Sequence, residues 1–199
     1  MAEVSRGWDE LEEWERDEWR KRARQLRIRV RRQVAYANQQ KARTRALRPQ
    51  EFYVKINRVL GVCGYERRRL PPPEPKFGPN PLKPELEASL VKGRLVLKLV
   101  LRAAPVSDIM VFGSPPRRAG QEPGGNYAFL GLLPPPKGRK SNISEMYLTK
   151  LEEWRSIKNR QHQVPLEGAR ISIRTWSQVN GWEDRGSMMI SHGLVRWAG

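Results

Sequence analysis

The stretch Glu85–Leu101 reads ELEASLVKGRLVLKLVL. Leu86, Ala88 and Leu90 alternate with polar neighbours, and Leu95, Leu97, Leu99 and Leu101 alternate again after Lys92-Gly93. Side chains two apart share a face of a strand, so this pattern predicts a hairpin with one buried face, closed by a tight turn. Further short runs follow at similar spacing. Ile109–Phe112 is expected as a third strand, ended by Gly113-Ser-Pro-Pro, and Asn126–Leu133 as a fourth, ended by Pro134–Pro136. Ala169–Trp176 is a fifth, Asn180-Gly181 a turn, and Met188–Ser191 a sixth. One helix interrupts them: Ser141 or Ser144 is expected to cap it, and Ile143, Tyr147, Leu151 and Trp154 fall on one side up to Ile157. Short strands punctuated by Gly and Pro predict an antiparallel sandwich over residues 85–199.

Upstream, the period lengthens to that of a helix. Trp8, Leu11, Trp19, Ala23, Leu26, Val30, Val34 and Ala37 lie on one stripe at 100° per residue, which predicts a helix from an N-cap at Ser5 toward residue 38. Within it, Leu26–Val30 (LRIRV) also alternates with period two, so helix and strand both remain open over 25–38. Asn38–Arg48 lacks an apolar pattern and is expected as a basic loop. Pro49 suits the first position of a second helix whose apolar face is Phe52, Tyr53, Ile56, Val59 and Leu60, with Gly61 or Gly64 as its stop. Residues 67–84 (RRRLPPPEPKFGPNPLKP) are expected as an extended, proline-stiffened linker. The expected organisation is thus an α+β chain: a helical unit over 1–66, the linker, and the sandwich.

Two resemblances accompany this pattern. Ala169–Gly181 (ARISIRTWSQVNG) resembles a late strand of a fibronectin type III-like β-sandwich, where alternation leads into an Asn-Gly turn. The order of parts is similar to a group of uncharacterised bacterial proteins. These join an N-terminal helical segment, with a phrase like LRPQEFYVKINRVL (here Leu47–Leu60), to a fibronectin III-like domain. The resemblance spans most of residues 8–185 and implies a fold rather than an activity. The helical part also resembles HMG boxes in its Phe52-Tyr53-Val54 phrase and Trp-bearing basic helix, but the order of the pieces differs and a third helix is missing.

Charge points to a partner class. Residues 1–18 carry eight acids and two bases, whereas residues 19–50 carry twelve Lys/Arg and no acid, within a chain of net charge +17. Arginine grips phosphate bidentately and stacks on bases, and neutralised phosphates release counterions, so nucleic acid, DNA or RNA, is the expected partner. The candidate contacts are Arg20, Arg24, Arg27, Arg31 and Arg32 on the helix, then Lys41, Arg43, Arg45 and Arg48 in the loop, and Arg67, Arg68 and Arg69 before the prolines. Arg117-Arg118 and Lys137–Lys140 are further loop cations. The alternative is a structural subunit of a protein assembly or homo-oligomer, in which the acidic segment of one copy meets the basic run of the next. Membrane attachment is the minor option. Trp8 and Trp19 are expected in the core rather than as stacking platforms, and Trp176 and Trp182 as core or rim of the sandwich.

Catalysis finds no pattern. His162 and His192 are the only histidines, and GQEPGG at Gly120–Gly125 lacks the form of a phosphate loop. Cys63 is the only cysteine, so neither an intramolecular disulfide nor a cysteine metal site can form. The expectation is a non-enzymatic protein without cofactor or metal. With no apolar leader in the first residues and no long apolar run, a cytoplasmic location is expected.

Overall fold

A computed structural model describes residues 2–37, 47–75, 84–101, 107–122, 126–134, 140–156 and 164–198, with the side chains of 2–3, 27–37 and 185–187 excepted. The fold is α+β, with helices in the N-terminal part and two largely antiparallel sheets in the C-terminal part. The chain divides into two units: Met1–Pro75 with Asn180–Trp182, and Lys76–Val179 with Glu183–Gly199.

The N-terminal stripe forms two helices rather than one: α1 (Ala2–Asp9) and α2 (Glu13–Ala37). Ser5 therefore lies inside α1 rather than at its start. The break is built from side chains. The Arg16 guanidinium donates to the carbonyls of Trp8 and Asp9 at 3.2 and 2.7 Å, covering the open end of α1. Glu15 accepts the Glu12 backbone N–H at 2.8 Å, covering the start of α2. Beyond it, α2 continues as helix through Leu26–Val30 to Ala37, which resolves the ambiguity of LRIRV in favour of helix. Helix α3 (Pro49–Val62) starts with Pro49 at its first turn, where Glu51 accepts the Arg48 N–H at 3.2 Å. Gly64, at φ +76°, ends it: Tyr65 N–H reaches the Leu60 carbonyl (2.9 Å) and Gly64 N–H the Gly61 carbonyl (3.2 Å). This is the Schellman pattern, and it makes Gly64 rather than Gly61 the stop.

The core of this unit is Leu11, Trp19, Ala23, Phe52, Tyr53, Ile56 and Leu60, with Trp8, Leu26, Val54 and Trp182 against it. Trp19 is fully buried, edge-on to Phe52 and Tyr53 at 5.1 and 5.2 Å, and its indole N–H donates to the Arg69 carbonyl at 2.7 Å. Arg67–Pro75, expected as linker, is irregular with a bend at Arg69-Leu70 and belongs to this unit. Buried Asn57 clamps its backbone, accepting from Arg68 N–H (2.6 Å) and donating to Arg68 carbonyl (3.1 Å).

The second unit carries β1 (Glu85–Val91), β2 (Arg94–Val100), β3 (Asp108–Gly113), β4 (Arg117–Arg118), β5 (Ala128–Leu133), β6 (Lys140–Asn142), β7 (Ala169–Val179), β8 (Trp182–Leu194) and β9 (Arg196–Trp197). One sheet has the order β6-β2-β1-β9; the other runs β4-β7-β3-β5, with β8 beside β7. β1 and β2 form the expected hairpin, with Glu85 opposite Val100 and Val91 opposite Arg94. Lys92 and Gly93 both have positive φ, as do Asn180 and Gly181, the requirement of a two-residue turn whose twist matches its strands. β9 pairs with β1 in parallel, β3 and β5 have a register shift at Val111/Phe112, and β8 is far longer than the Met188–Ser191 expected.

Helix α4 (Ser144–Ser156) follows β6. Its start is covered by Asn142, which accepts the Ser144 N–H at 2.9 Å, whereas the Ser144 hydroxyl accepts the Leu97 N–H. Neither serine expected as a cap fills that role. The core of the unit joins Leu95, Leu97, Leu99, Ile109, Val111, Ile171 and Ile173 from the two sheets to Ile143, Tyr147, Leu151 and Trp154 from the α4 region. Tyr147 is fully buried and its hydroxyl donates to the Ser114 carbonyl at 3.0 Å. On the same sheet as β7, Trp176 stacks on Phe112 at 4.1 Å, and the Arg174 guanidinium lies 4.1 Å from the Tyr127 ring centroid.

Candidate nucleic-acid interface

The basic run sits on one continuous helix whose first turns are acidic. At 1.5 Å per residue, the 25 residues of α2 extend roughly 37 Å. Acidic residues near its start suit the positive end of the helix dipole, and they also engage the nearest cations. Arg20 binds Glu13 and Asp17 at 2.5 and 2.7 Å, and Lys21 binds Glu18 at 2.6 Å. Arg22 lies 3.7 Å from Glu74 and donates to Gln25. These hydrogen bonds to carboxylates hold Arg20 and Lys21 above their ordinary pKa values.

Arg69 is the most committed of the candidates. It grips Glu15 bidentately, Nε and Nη2 lying 2.6 and 2.8 Å from the two carboxylate oxygens. Glu15 is only 4% exposed. The Arg69 hydrogen bonds lower its pKa, burial opposes that shift, and the Glu12 N–H adds to the lowering. Arg69 therefore supports the break between α1 and α2, a role that composition alone did not reveal. Arg68 is anchored through its backbone to Asn57 and donates from Nη2 to the Asn180 side chain at 3.0 Å. Arg67 is exposed and likewise engaged within the molecule.

Arg24 differs. It is exposed and has no partner among the described residues. Arg27, Arg31 and Arg32 follow on the same helical backbone, their side chains lying outside the described set, as do Lys41, Arg43 and Arg45 entirely. Arg48 stands exposed at the start of α3. Of the twelve candidates, six have described side chains: Arg20, Arg67, Arg68 and Arg69 are engaged within the molecule, and Arg24 and Arg48 stand exposed.

Trp19 is in the core as expected, Trp8 is half-buried against it, and Trp182 packs on Phe52 at 5.2 Å in the helical unit rather than in the sandwich. Trp14 is 55% exposed and donates to Glu12. A grouping the sequence reading missed is Ser172 with His192, whose Oγ and Nδ1 are 2.8 Å apart on β7 and β8. The signal was the shared alternation of the two strands, visible only once the Asn180-Gly181 turn pairs them. Among the described residues, no three His, Cys, Asp or Glu side chains gather as a metal site, and no helix is long and apolar enough to cross a membrane. Comparison of the chain with protein-family models, with curated proteins and with solved structures finds no match.

Proposed function

We propose that this protein binds nucleic acid, mainly through backbone phosphates, using the basic portion of α2 from Arg24 onward together with the cations that follow it. The observation that carries this reading is the segregation of charge along one helix. Helical neighbours lie three and four residues apart. For Arg24, Arg27, Arg29, Arg31 and Arg32, none of those positions holds an acid. Several hold another cation, as in Arg20/Arg24 and Arg27/Arg31, and like charges at that spacing destabilise an isolated helix by about 0.2–0.5 kcal/mol per pair. A polyanion relieves that repulsion, and the released counterions add favourable free energy.

The engagement of Glu13, Glu15, Asp17 and Glu18 with Arg20, Lys21 and Arg69 favours this reading over head-to-tail assembly through the acidic segment, because those carboxylates already have partners. The sheet unit serves, in the same proposal, as a fibronectin III-like docking module in the cytoplasm, without catalytic activity.

Fluorescence anisotropy with labelled duplex and single-stranded oligonucleotides, titrated across salt, tests it. The logarithm of the affinity is expected to fall linearly with that of salt, with a slope of about −0.9 per phosphate neutralised on duplex and about −0.7 on a single strand. Arg24→Gln should reduce the slope by about one contact, while Arg20→Gln should change it less. Absence of binding at low salt, or an affinity indifferent to combined replacement of Arg24, Arg27, Arg31 and Arg32, rules the reading out.

A further inference from the structure

A cavity of about 350 Å³ lies on the second unit, lined by Ala119, Gly120, Arg170, His192, Gly193 and Leu194. Its position follows from the ladder of β4, β7 and β8. Arg117 is directly opposite Arg170 in the antiparallel β4–β7 pair, so both side chains leave the same face. Like charges directly opposite in a sheet repel. Among the described residues neither arginine has a carboxylate partner: Arg117 donates to the Glu122 carbonyl at 3.2 Å, and Arg170 has no partner there. Arg118 follows Arg117 on the same strand, also without a carboxylate partner among those residues.

The imidazole of His192 is held in place. Its Nδ1 meets the hydroxyl of Ser172, which is 2% exposed, at 2.8 Å, and the other ring nitrogen has no partner among the described residues. Desolvation and, after it, the Arg170 charge lower the His192 pKa, so the neighbourhood disfavours another cation while no anion is present. Gly120, at φ +86°, leaves open space where a side chain would stand, and exposed Leu194 adds an apolar surface.

From this geometry we infer that the Arg170–His192 cavity binds a phosphate ester, with the phosphoryl group on Arg170 and His192 beside Arg117 and the organic portion against Leu194. Guanidinium groups match phosphate oxygens bidentately, and a tetrahedral dianion offers acceptors to several converging donors. A volume of this size falls in the range of small-molecule sites and exceeds what a lone phosphate fills. The site is separate from α2 and stands whether or not α2 binds nucleic acid.

Proton NMR of the full chain reads the site directly, because the protein has only two histidines, His162 and His192. His192→Gln assigns the signals. Inorganic phosphate, adenosine monophosphate, a single-stranded oligonucleotide and phosphate-free adenosine are then titrated separately at fixed ionic strength. The His192 signal is expected to move saturably with adenosine monophosphate, and its titration midpoint to rise. Arg170→Ala should abolish the response, and Arg170→Lys should retain part of it. A response to the monophosphate without the oligonucleotide identifies a terminal phosphate as the ligand group; a response to the oligonucleotide as well identifies a backbone phosphate. The inference is overturned if His192 ignores all three phosphate compounds, if adenosine moves it equally, or if folded Arg170→Ala responds like the parent. Arg24→Gln, which weakens binding only at α2, should leave the His192 response to the monophosphate unchanged.

Discussion

Replacing Trp19 with Ala removes the centre of the helical core. The indole is fully buried, meets two rings edge-on and donates to the Arg69 carbonyl. Truncating a buried aromatic to Ala costs about 3–5 kcal/mol through lost transfer free energy and the cavity left behind. Loss of the donor to the part-buried Arg69 carbonyl adds to this, the net worth of one hydrogen bond being about 0.5–1.5 kcal/mol. Trp19→Phe keeps a ring against Phe52 and Tyr53 but loses the donor, so its cost should fall near the hydrogen-bond term alone. Native-state hydrogen exchange followed by mass spectrometry separates the units, because protection is read peptide by peptide. Peptides from Pro49–Val62 should lose roughly 10²- to 10⁴-fold of their protection in Trp19→Ala, the equivalent of that free energy at about 1.4 kcal/mol per tenfold. Peptides from β1 and β2 should change far less. Protection in α3 that stays within about tenfold of the parent, or a loss shared equally by the hairpin, would refute the reasoning.

Gly181→Ala should destabilise the helical unit: at φ +83° a Cβ would stand 2.7 Å from the Ile56 carbonyl oxygen. The left-handed backbone alone costs about 1–2 kcal/mol, and a urea midpoint no lower than the parent's would contradict the packing. Tyr147 is held above its ordinary pKa, chiefly by burial. The folded state therefore keeps a proton that the unfolded chain releases above about pH 10, so stability should fall as pH rises past that value. Tyr147→Phe should remove that part of the decline while costing about 1–3 kcal/mol at neutral pH by orphaning the Ser114 carbonyl; alkaline denaturation curves of the two proteins that stay parallel would exclude the assignment.

Local patterns revealed the elements whose causes are local. The alternation of Leu86–Leu101 around Lys92-Gly93 specified the hairpin with its register, and Pro49 with the Phe52–Leu60 face specified α3. The division of the first helix was hidden because every residue around Glu10–Glu12 suits a helix; what stabilises the break is Arg69, far along the chain, against Glu15. Asn57, on the apolar face of α3, was a readable anomaly, and its role as a clamp on Arg68 appears only in three dimensions. Strands β4, β6 and β9 are too short for a periodic signal. The basic run was legible as composition, but the division between cations tied into the fold and cations at the surface depends on which acids lie within reach. The Arg170–His192 cavity was illegible for a similar reason: its residues come from strands β7 and β8 and from the turn after β4, each unremarkable by itself.

The membership of Asn180–Trp182 in the helical unit has a consequence for the order of events during synthesis. Helices α1 to α3 are translated first, yet the ring beside Phe52 and the glycine against Ile56 are supplied only after β1 to β7 have been made. Contacts so distant along the chain are slow to form, and incomplete cores expose apolar surface meanwhile. The part of the protein made earliest is thus the part that reaches its finished packing late, and nascent chains halted before the Asn180-Gly181 turn would carry an open aromatic core.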